Sequence, residues 1–332
     1  FCGGVGATTG SNYLLESGAT KVLVACGLRQ GGSFAERLNY EPFPYDPREI
    51  DAVFITHGHI DHIGRLPKLV KEGLSCPIYS TPPTKDVAEL LLLDATHLLH
   101  EEALKKKHAP LYEPTDVAST LALWKTAPYH APITVGAATV TFHDAGHILG
   151  SSSILIEAGG KRIVFSGDLG NVPESLLHPT ELFDDTVDYA LVESTYGGRV
   201  HEGLDRRRDI LEDVIENTAV ARGTLMIPAF ALERTQELLF ELDQLVEHGR
   251  VPKVPVFIDS PLAIKLTGVY QRYAGDTNYF GDRATSLVRA RKERRALLGS
   301  ARQNRRRATV FAANIPCHCP IAASAPAAPS PI

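Results

Sequence analysis

No run of about eighteen apolar residues, the length that a membrane-spanning helix requires, occurs anywhere in this chain of 332 residues. Residue 1 is Phe, and Gly-rich sequence follows it in place of the charged and apolar regions of a secretory leader. The expectation is a cytoplasmic protein, outside the membrane, whose first residues are missing from the sequence. Cysteine is sparse. Cys2, Cys26, Cys76, Cys317 and Cys319 are odd in number, scattered and without a CxxC pair, which argues against both a disulfide framework and a zinc ribbon. Positive charge is not in excess either. A net charge of -5 speaks against binding nucleic acid through bulk charge, although a local basic groove stays open. What is present, 44% hydrophobic and 22% charged residues, is ordinary for a globular protein long enough for two domains.

Along the first two hundred residues short β-rich runs alternate with turns. Strands are predicted at residues 12–16, 21–26, 52–56, 78–80, 139–143, 153–157, 162–166 and 189–193, the first two forming a hairpin about Ser17-Gly18. Residues 83–107 have the leucines and Lys/Glu flanks of an amphipathic helix, on which His97 and His100 read as surface or packing residues. After Gly198 the texture becomes helix and strand in alternation: helices at 204–222, 233–249 and 263–273, strands at 224–228 and 255–258. The division is 1–198, 199–282 as a partial second α/β domain, and 283–332 as a tail. Residues 283–307 carry ten Lys or Arg against one Glu, then Ala/Pro/Ser-rich sequence follows that reads as disordered.

The strongest local signal is Thr56-His57-Gly58-His59-Ile60-Asp61-His62, directly after the apolar strand at 52–55. Imidazole and carboxylate are the donors that zinc accepts. This spacing can aim His57 and His59 at one ion while Asp61 and His62 reach another. His147, in Ala145-Gly146-His147-Ile148-Leu149-Gly150, and Asp168, in Ser166-Gly167-Asp168-Leu169-Gly170, each follow a strand in a Gly-containing loop. Together they make six donors, enough for two zinc ions arranged for hydrolytic attack at phosphorus or carbonyl carbon.

HGHIDH, AGHILGS and SGDLG at these separations resemble the metallo-β-lactamase superfamily, so the fold class implied is α/β, an αββα sandwich. Glu193-Ser194-Thr195-Tyr196-Gly197-Gly198-Arg199 with His201, Ile227-Pro228-Ala229-Phe230-Ala231 leading to Arg234-Thr235-Gln236-Glu237, and Ile258-Asp259-Ser260-Pro261-Leu262-Ala263 resemble its β-CASP subgroup of RNA-processing nucleases. The resemblance implies that His57, His59 and His147 hold a first zinc, Asp61 and His62 a second, and that Asp168 bridges them. It makes Asp61 and Glu193 the catalytic acids beside the metals and sets Arg234 at the cleft entrance to meet a phosphate. RNA is the implied substrate, and the sequence leaves a homodimer open.

Three departures stand out. Ala25 occupies a strand-end position where the family places an Asp that supports the metal loop, which predicts weaker zinc retention. The family's later Gly-His-Ala segment and its final zinc-binding His have no counterpart after Gly275, where only His318, in Cys317-His318-Cys319, remains. The sandwich is therefore expected to be incomplete, with exposed sheet edges. The switch to Arg-rich and then Ala/Pro-rich sequence resembles translation in a shifted frame, with a basic RNA-contacting tail as the competing reading. The leading expectation is a zinc-dependent ribonuclease impaired by these losses. The alternatives are a non-catalytic RNA-binding relative and a small-molecule esterase or thioesterase of the same superfamily.

Overall fold

The computed structural model describes residues 1–170, 176–183, 186–199, 204–286 and 288. Strands β1 (Tyr13–Ser17) and β2 (Thr20–Val24) form an antiparallel hairpin in register Ser17↔Thr20, leaving a two-residue loop. Gly18 takes φ +62 there, the left-handed conformation that such a tight connection demands. Strands β3 (Ala52–Phe54), β4 (Ile78–Ser80) and β5 (Trp124–Thr126) then add in parallel, in the order β1-β2-β3-β4-β5. Each parallel step needs a crossover. The crossovers carry helices α1 (Ser33–Arg37), α2 (Ile60–Ile63), α3 (Leu66–Lys71), α4 (Pro82–Lys106) and α5 (Pro114–Ala122).

Helix α4 shows how local sequence sets such an element. The Thr81 hydroxyl caps its start, prolines fill the first turn where no backbone N–H is needed, and Lys107 ends it in the left-handed conformation. Val87, Ala88, Leu91, Leu92 and Leu99 bury one side of it in the larger apolar cluster, where Leu23, Val53, Ile55 and Leu66 also lie.

The second sheet contains β6 (Ile133–Val135), β7 (Ala138–Asp144), β8 (Ser152–Ala158), β9 (Lys161–Phe165) and β10 (Tyr189–Leu191), in the order β10-β9-β8-β7-β6. All its pairings are antiparallel except β10 with β9. Period-two alternation divides each strand between two cores. Val22, Val24, Ala52 and Phe54 from the first sheet meet Val140, Phe142, Ile154 and Ile156 from the second, while Leu23 and Val53 point to the helices. Burying a side chain of the size of Phe54 or Leu23 stabilises by about 1.5–3 kcal/mol. Among the described residues no helix forms a comparable layer against the second sheet's outer face.

Helices α6 (Leu204–Val220), α7 (Arg234–Glu247) and α8 (Pro261–Tyr273) follow, with a small core of Ile215, Leu242, Leu245 and Val251. Helix α8 lies along α4, where Asp86 accepts from Arg272 at 2.6 Å and from the Tyr273 hydroxyl at 2.8 Å. The strands predicted at 224–228 and 255–258 are a correction: neither segment forms a strand, and Met226 and Phe257 stand exposed. A strand is defined by its ladder, and neither segment belongs to one among the described residues. Conversely β5, β6 and the short α1, α2 and α5 escape a reading of the sequence, because three to nine residues hold too little periodicity. Among the described residues no helix is long and apolar enough to cross a membrane. His201, Cys317, His318, Cys319 and the tail beyond residue 286, Val288 excepted, lie outside the described residues.

Candidate metal centre

Four loops meet at the edge between the two sheets. The first leaves β3 through buried Ile55 and Thr56 and carries the His57 to His62 motif into α2. Thr56 fixes two imidazoles at once, its hydroxyl lying 3.1 Å from His57 Nδ1 and 3.2 Å from His62 Nδ1. These contacts aim the opposite ring nitrogens inward. Gly58 is required between the first two histidines, because a Cβ there would come within 2.6 Å of Val87 Cγ1 on α4.

The His147 loop is pinned from three sides. Ser151 Oγ accepts from the His147 and Ile148 N–H groups at 3.0 and 3.2 Å. The Thr81 and Thr84 hydroxyls at the start of α4 donate to the Gly150 carbonyl at 2.6 and 2.8 Å. On the side of the second domain, the Leu149 N–H donates to the Tyr270 hydroxyl of α8 at 3.3 Å. The Asp168 loop, leaving β9, packs on the His147 loop so closely that a Cβ on Gly170 would sit 1.9 Å from the Gly146 carbonyl oxygen.

The result is two donor groups that share one carboxylate. His57, His59, His147 and Asp168 converge, each offering an atom within 4.8 Å of the others, and Asp61, His62 and Asp168 form a second such group. Asp168 Oδ2 lies 3.7 Å from His57 Nε2 and 3.6 Å from His147 Nε2, while its Oδ1 lies 3.1 Å from His62 Nε2. His147 Nε2 is 3.2 Å from His59 Nδ1, and His62 Nε2 is 3.8 Å from Asp61 Oδ2. All six residues singled out in the sequence are thus brought together.

The electrostatics match a cation site. Burial, reinforced by the neighbouring imidazoles, holds the pKa of His57 well below the ordinary histidine value, and the same causes lower His59. His147 is lowered mainly by burial as well. Lowered values favour the neutral ring, the form that can present a lone pair to a cation. His57 Nε2 is buried without a hydrogen-bond partner. A buried lone pair left in this way is costly unless something positive meets it. In the second group, desolvation works against charge on both His62 and Asp168, but their mutual hydrogen bond wins, so His62 is raised and Asp168 lowered. Burial pushes Asp61 upward. The residues therefore fit the binding of metal cations, with nitrogen and oxygen donors in two groups that share Asp168.

Glu193 stands at the end of β10 and holds backbone: its Oε1 accepts from the Leu169 N–H at 3.2 Å and its Oε2 from the Thr195 N–H at 3.0 Å. It braces the Asp168 loop, and its charge reaches both His62 and His147. Arg234 opens α7, is about half exposed and pairs with Glu237 at 2.8 Å, and its charge is felt at His147. Ala25, where the family resemblance places an Asp, is buried with φ +57 and donates its N–H to the Phe54 carbonyl at 2.9 Å. Tyr270 is the positioning residue that the sequence did not reveal. It acts across 121 positions of chain, and an isolated Tyr on a helix carries no mark of that.

A family model described as the metallo-beta-lactamase superfamily matches residues 5–198, and one described as the Beta-Casp domain matches residues 235–322. Ribonuclease TTHA0252 of Thermus thermophilus is 39% identical over 266 residues, covering 80% of this chain and 58% of the relative. Transcription termination factor FttA of Methanosarcina mazei is 35% identical over 259 residues, 75% of this chain and 39% of the relative. Cleavage and polyadenylation specificity factor subunit 3-I of Arabidopsis thaliana is 32% identical over 273 residues, 81% of this chain and 39% of the relative. The chain thus spans between 39% and 58% of the length of these curated relatives.

Proposed function

This chain belongs to the metallo-beta-lactamase superfamily and to its Beta-Casp branch, and from that premise we propose that it is a ribonuclease that hydrolyses RNA phosphodiester bonds with two zinc ions. The observation that carries the reading is the pair of donor groups sharing Asp168, with the His57 Nε2 lone pair buried and unmet. His57, His59 and His147 would hold one ion, Asp61 and His62 the other, with Asp168 between them. Zinc ions held there would make a water nucleophilic at neutral pH and offset the charge that grows on phosphoryl oxygens.

The chain's own residues supply the rest. Thr56 holds His57 and His62 in one orientation, so the donors are set before a substrate arrives. Glu193 keeps the Asp168 loop in place through Leu169. Asp61, raised by burial, is suited to exchanging a proton with the attacking water. Arg234, at the start of α7, is placed to pair with a phosphate of the bound strand by exchanging its contact with Glu237. Ala25 stands where the family resemblance places a supporting Asp, so weaker zinc retention and a lower cleavage rate are expected.

The test is cleavage of an end-labelled RNA oligonucleotide by the purified chain, with zinc present and after chelation. Zinc-dependent cleavage that disappears in Asp61→Asn supports the reading. RNA binding without cleavage at any zinc concentration would instead favour the non-catalytic RNA-binding relative, the reading to which the alanine at position 25 lends support. Turnover of activated esters without RNA cleavage would point to the esterase.

A further inference from the structure

Four residues before His147, at the far end of β7, a separate set of nitrogen and oxygen donors comes together. Three segments contribute one residue each. His130 lies on the loop between β5 and β6, 60% exposed, with its backbone held at φ +62 by an N–H bond to the Phe142 carbonyl at 2.9 Å. His143 lies on β7 one residue from Phe142, so it faces away from the core between the sheets. It is 16% exposed, with its ring against Phe183 at 4.6 Å. Glu181, on the 176–183 segment, reaches both rings: Oε1 is 2.9 Å from His143 Nδ1 and Oε2 is 3.5 Å from His130 Nε2. The Glu181 carboxylate is fixed in turn by the Asp144 N–H at 3.2 Å, while the Glu181 N–H donates to the Asp144 carbonyl at 2.9 Å.

His143 turns Nδ1 to Glu181 at 2.9 Å, which makes Nδ1 the nitrogen that the group can offer. The partly exposed contact between His130 and Glu181 is of the kind that adds little to stability by itself. Yet one donor atom from each of the three residues lies within 4.8 Å of the others. Donors held tetrahedrally at about 2.0–2.1 Å from a zinc ion stand about 3.4 Å apart. The two contacts to Glu181, at 2.9 and 3.5 Å, lie within about half an ångström of that spacing, and the two imidazole donors lie within 4.8 Å of each other. Two imidazoles and one carboxylate are the mixed nitrogen and oxygen set that a borderline dication accepts, and the exposed side of His130 leaves room for water as a fourth ligand.

We propose that His130, His143 and Glu181 form a binding site for one transition-metal dication of the zinc type, separate from the centre built on His57. An ion there staples the 176–183 segment to β7. That segment abuts the His147 loop, since a Cβ on Gly146 would meet the His178 carbonyl oxygen at 2.6 Å, and the staple therefore braces the loop that carries His147. The site is structural, and it stands whether or not the chain cleaves RNA.

The full chain, stripped with a chelator and dialysed against buffered zinc, is compared with His130→Ala and Glu181→Gln by elemental analysis. Each variant is expected to retain one zinc equivalent fewer than the parent, and the double variant no fewer than either. Equal zinc content in the parent and both variants overturns the proposal. His130 is largely exposed, so its truncation leaves the core intact. A second measurement starts from a chain carrying Asp168→Ala, in which the His57 centre is disabled. Zinc is expected to raise the Tm of that chain and not of one that also carries His130→Ala, and identical shifts in the two overturn the site.

Discussion

The Tyr270 hydroxyl donates to the Glu233 carboxylate, 37 residues back in the chain, while accepting from the Leu149 N–H at 3.3 Å. Both side chains are buried, and Glu233 takes φ +61, a left-handed conformation rare for its type. One hydroxyl thus joins the second domain to the loop that carries His147. Tyr270→Phe is expected to lower stability by about 1.5–3 kcal/mol, the range for a hydrogen bond to a charged group. Urea unfolding measures it, and a change under about 0.5 kcal/mol, the scale of a neutral surface change, would show that this link is idle.

Asp168 serves both donor groups, whereas His62 serves one. Asp168→Ala should therefore cost both ions of the centre, and His62→Ala only one, as counted by elemental analysis after dialysis. Zinc at a thousandfold excess over Kd stabilises by about 4 kcal/mol. Chelation should then lower the Tm by on the order of 10 °C. A melt indifferent to chelation would contradict the assignment.

Ala25 at φ +57 pays a steric cost that a residue without a Cβ does not. Ala25→Gly is expected to stabilise the chain by about 1 kcal/mol. Ala25→Asp should tighten zinc binding by about tenfold, the low end of what supporting ligand partners contribute. If thermal unfolding and zinc titration both leave these variants level with the parent, the backbone here is unstrained and the missing carboxylate irrelevant.

Arg234 is about half exposed, and among the described residues its side chain pairs with Glu237. Arg234→Ala should leave the Tm within about 1 °C, because exposed pairs contribute little. RNA affinity should fall, and the slope of log affinity against log salt should become shallower by about 0.7, the loss of one phosphate contact to a single strand. An unchanged salt slope would remove Arg234 from the binding surface.

His178 is raised above the ordinary histidine pKa, chiefly by its hydrogen bond to Asp144 at 3.1 Å. A raised folded-state pKa means that the stabilisation is fully present below the unfolded value of about 6.5 and fades as pH rises through the folded value. The destabilisation caused by His178→Ala should thus be larger at pH 5.5 than at pH 8.5. The opposite order, read from denaturant melts at the two pH values, would exclude the ion pair.

Which features were legible in the sequence follows from how local their causes are. The donors of the His57 to His62 motif sit within six residues, so spacing alone announced them, and His147 and Asp168 were recognisable from the short loops that hold them. The hairpin of β1 and β2 and the long helix α4 were also readable, since turn residues in the one and capping groups in the other lie inside each element. Tertiary structure alone decided the rest. The segments at 224–228 and 255–258 have the composition of strands but join no sheet among the described residues, and a strand's hydrogen bonds belong to its neighbour as much as to itself. Likewise the left-handed backbone at Ala25, the Tyr270 link and the meeting of His130, His143 and Glu181 arise where distant segments are pressed together. Their energies depend on distances that no local stretch of sequence encodes.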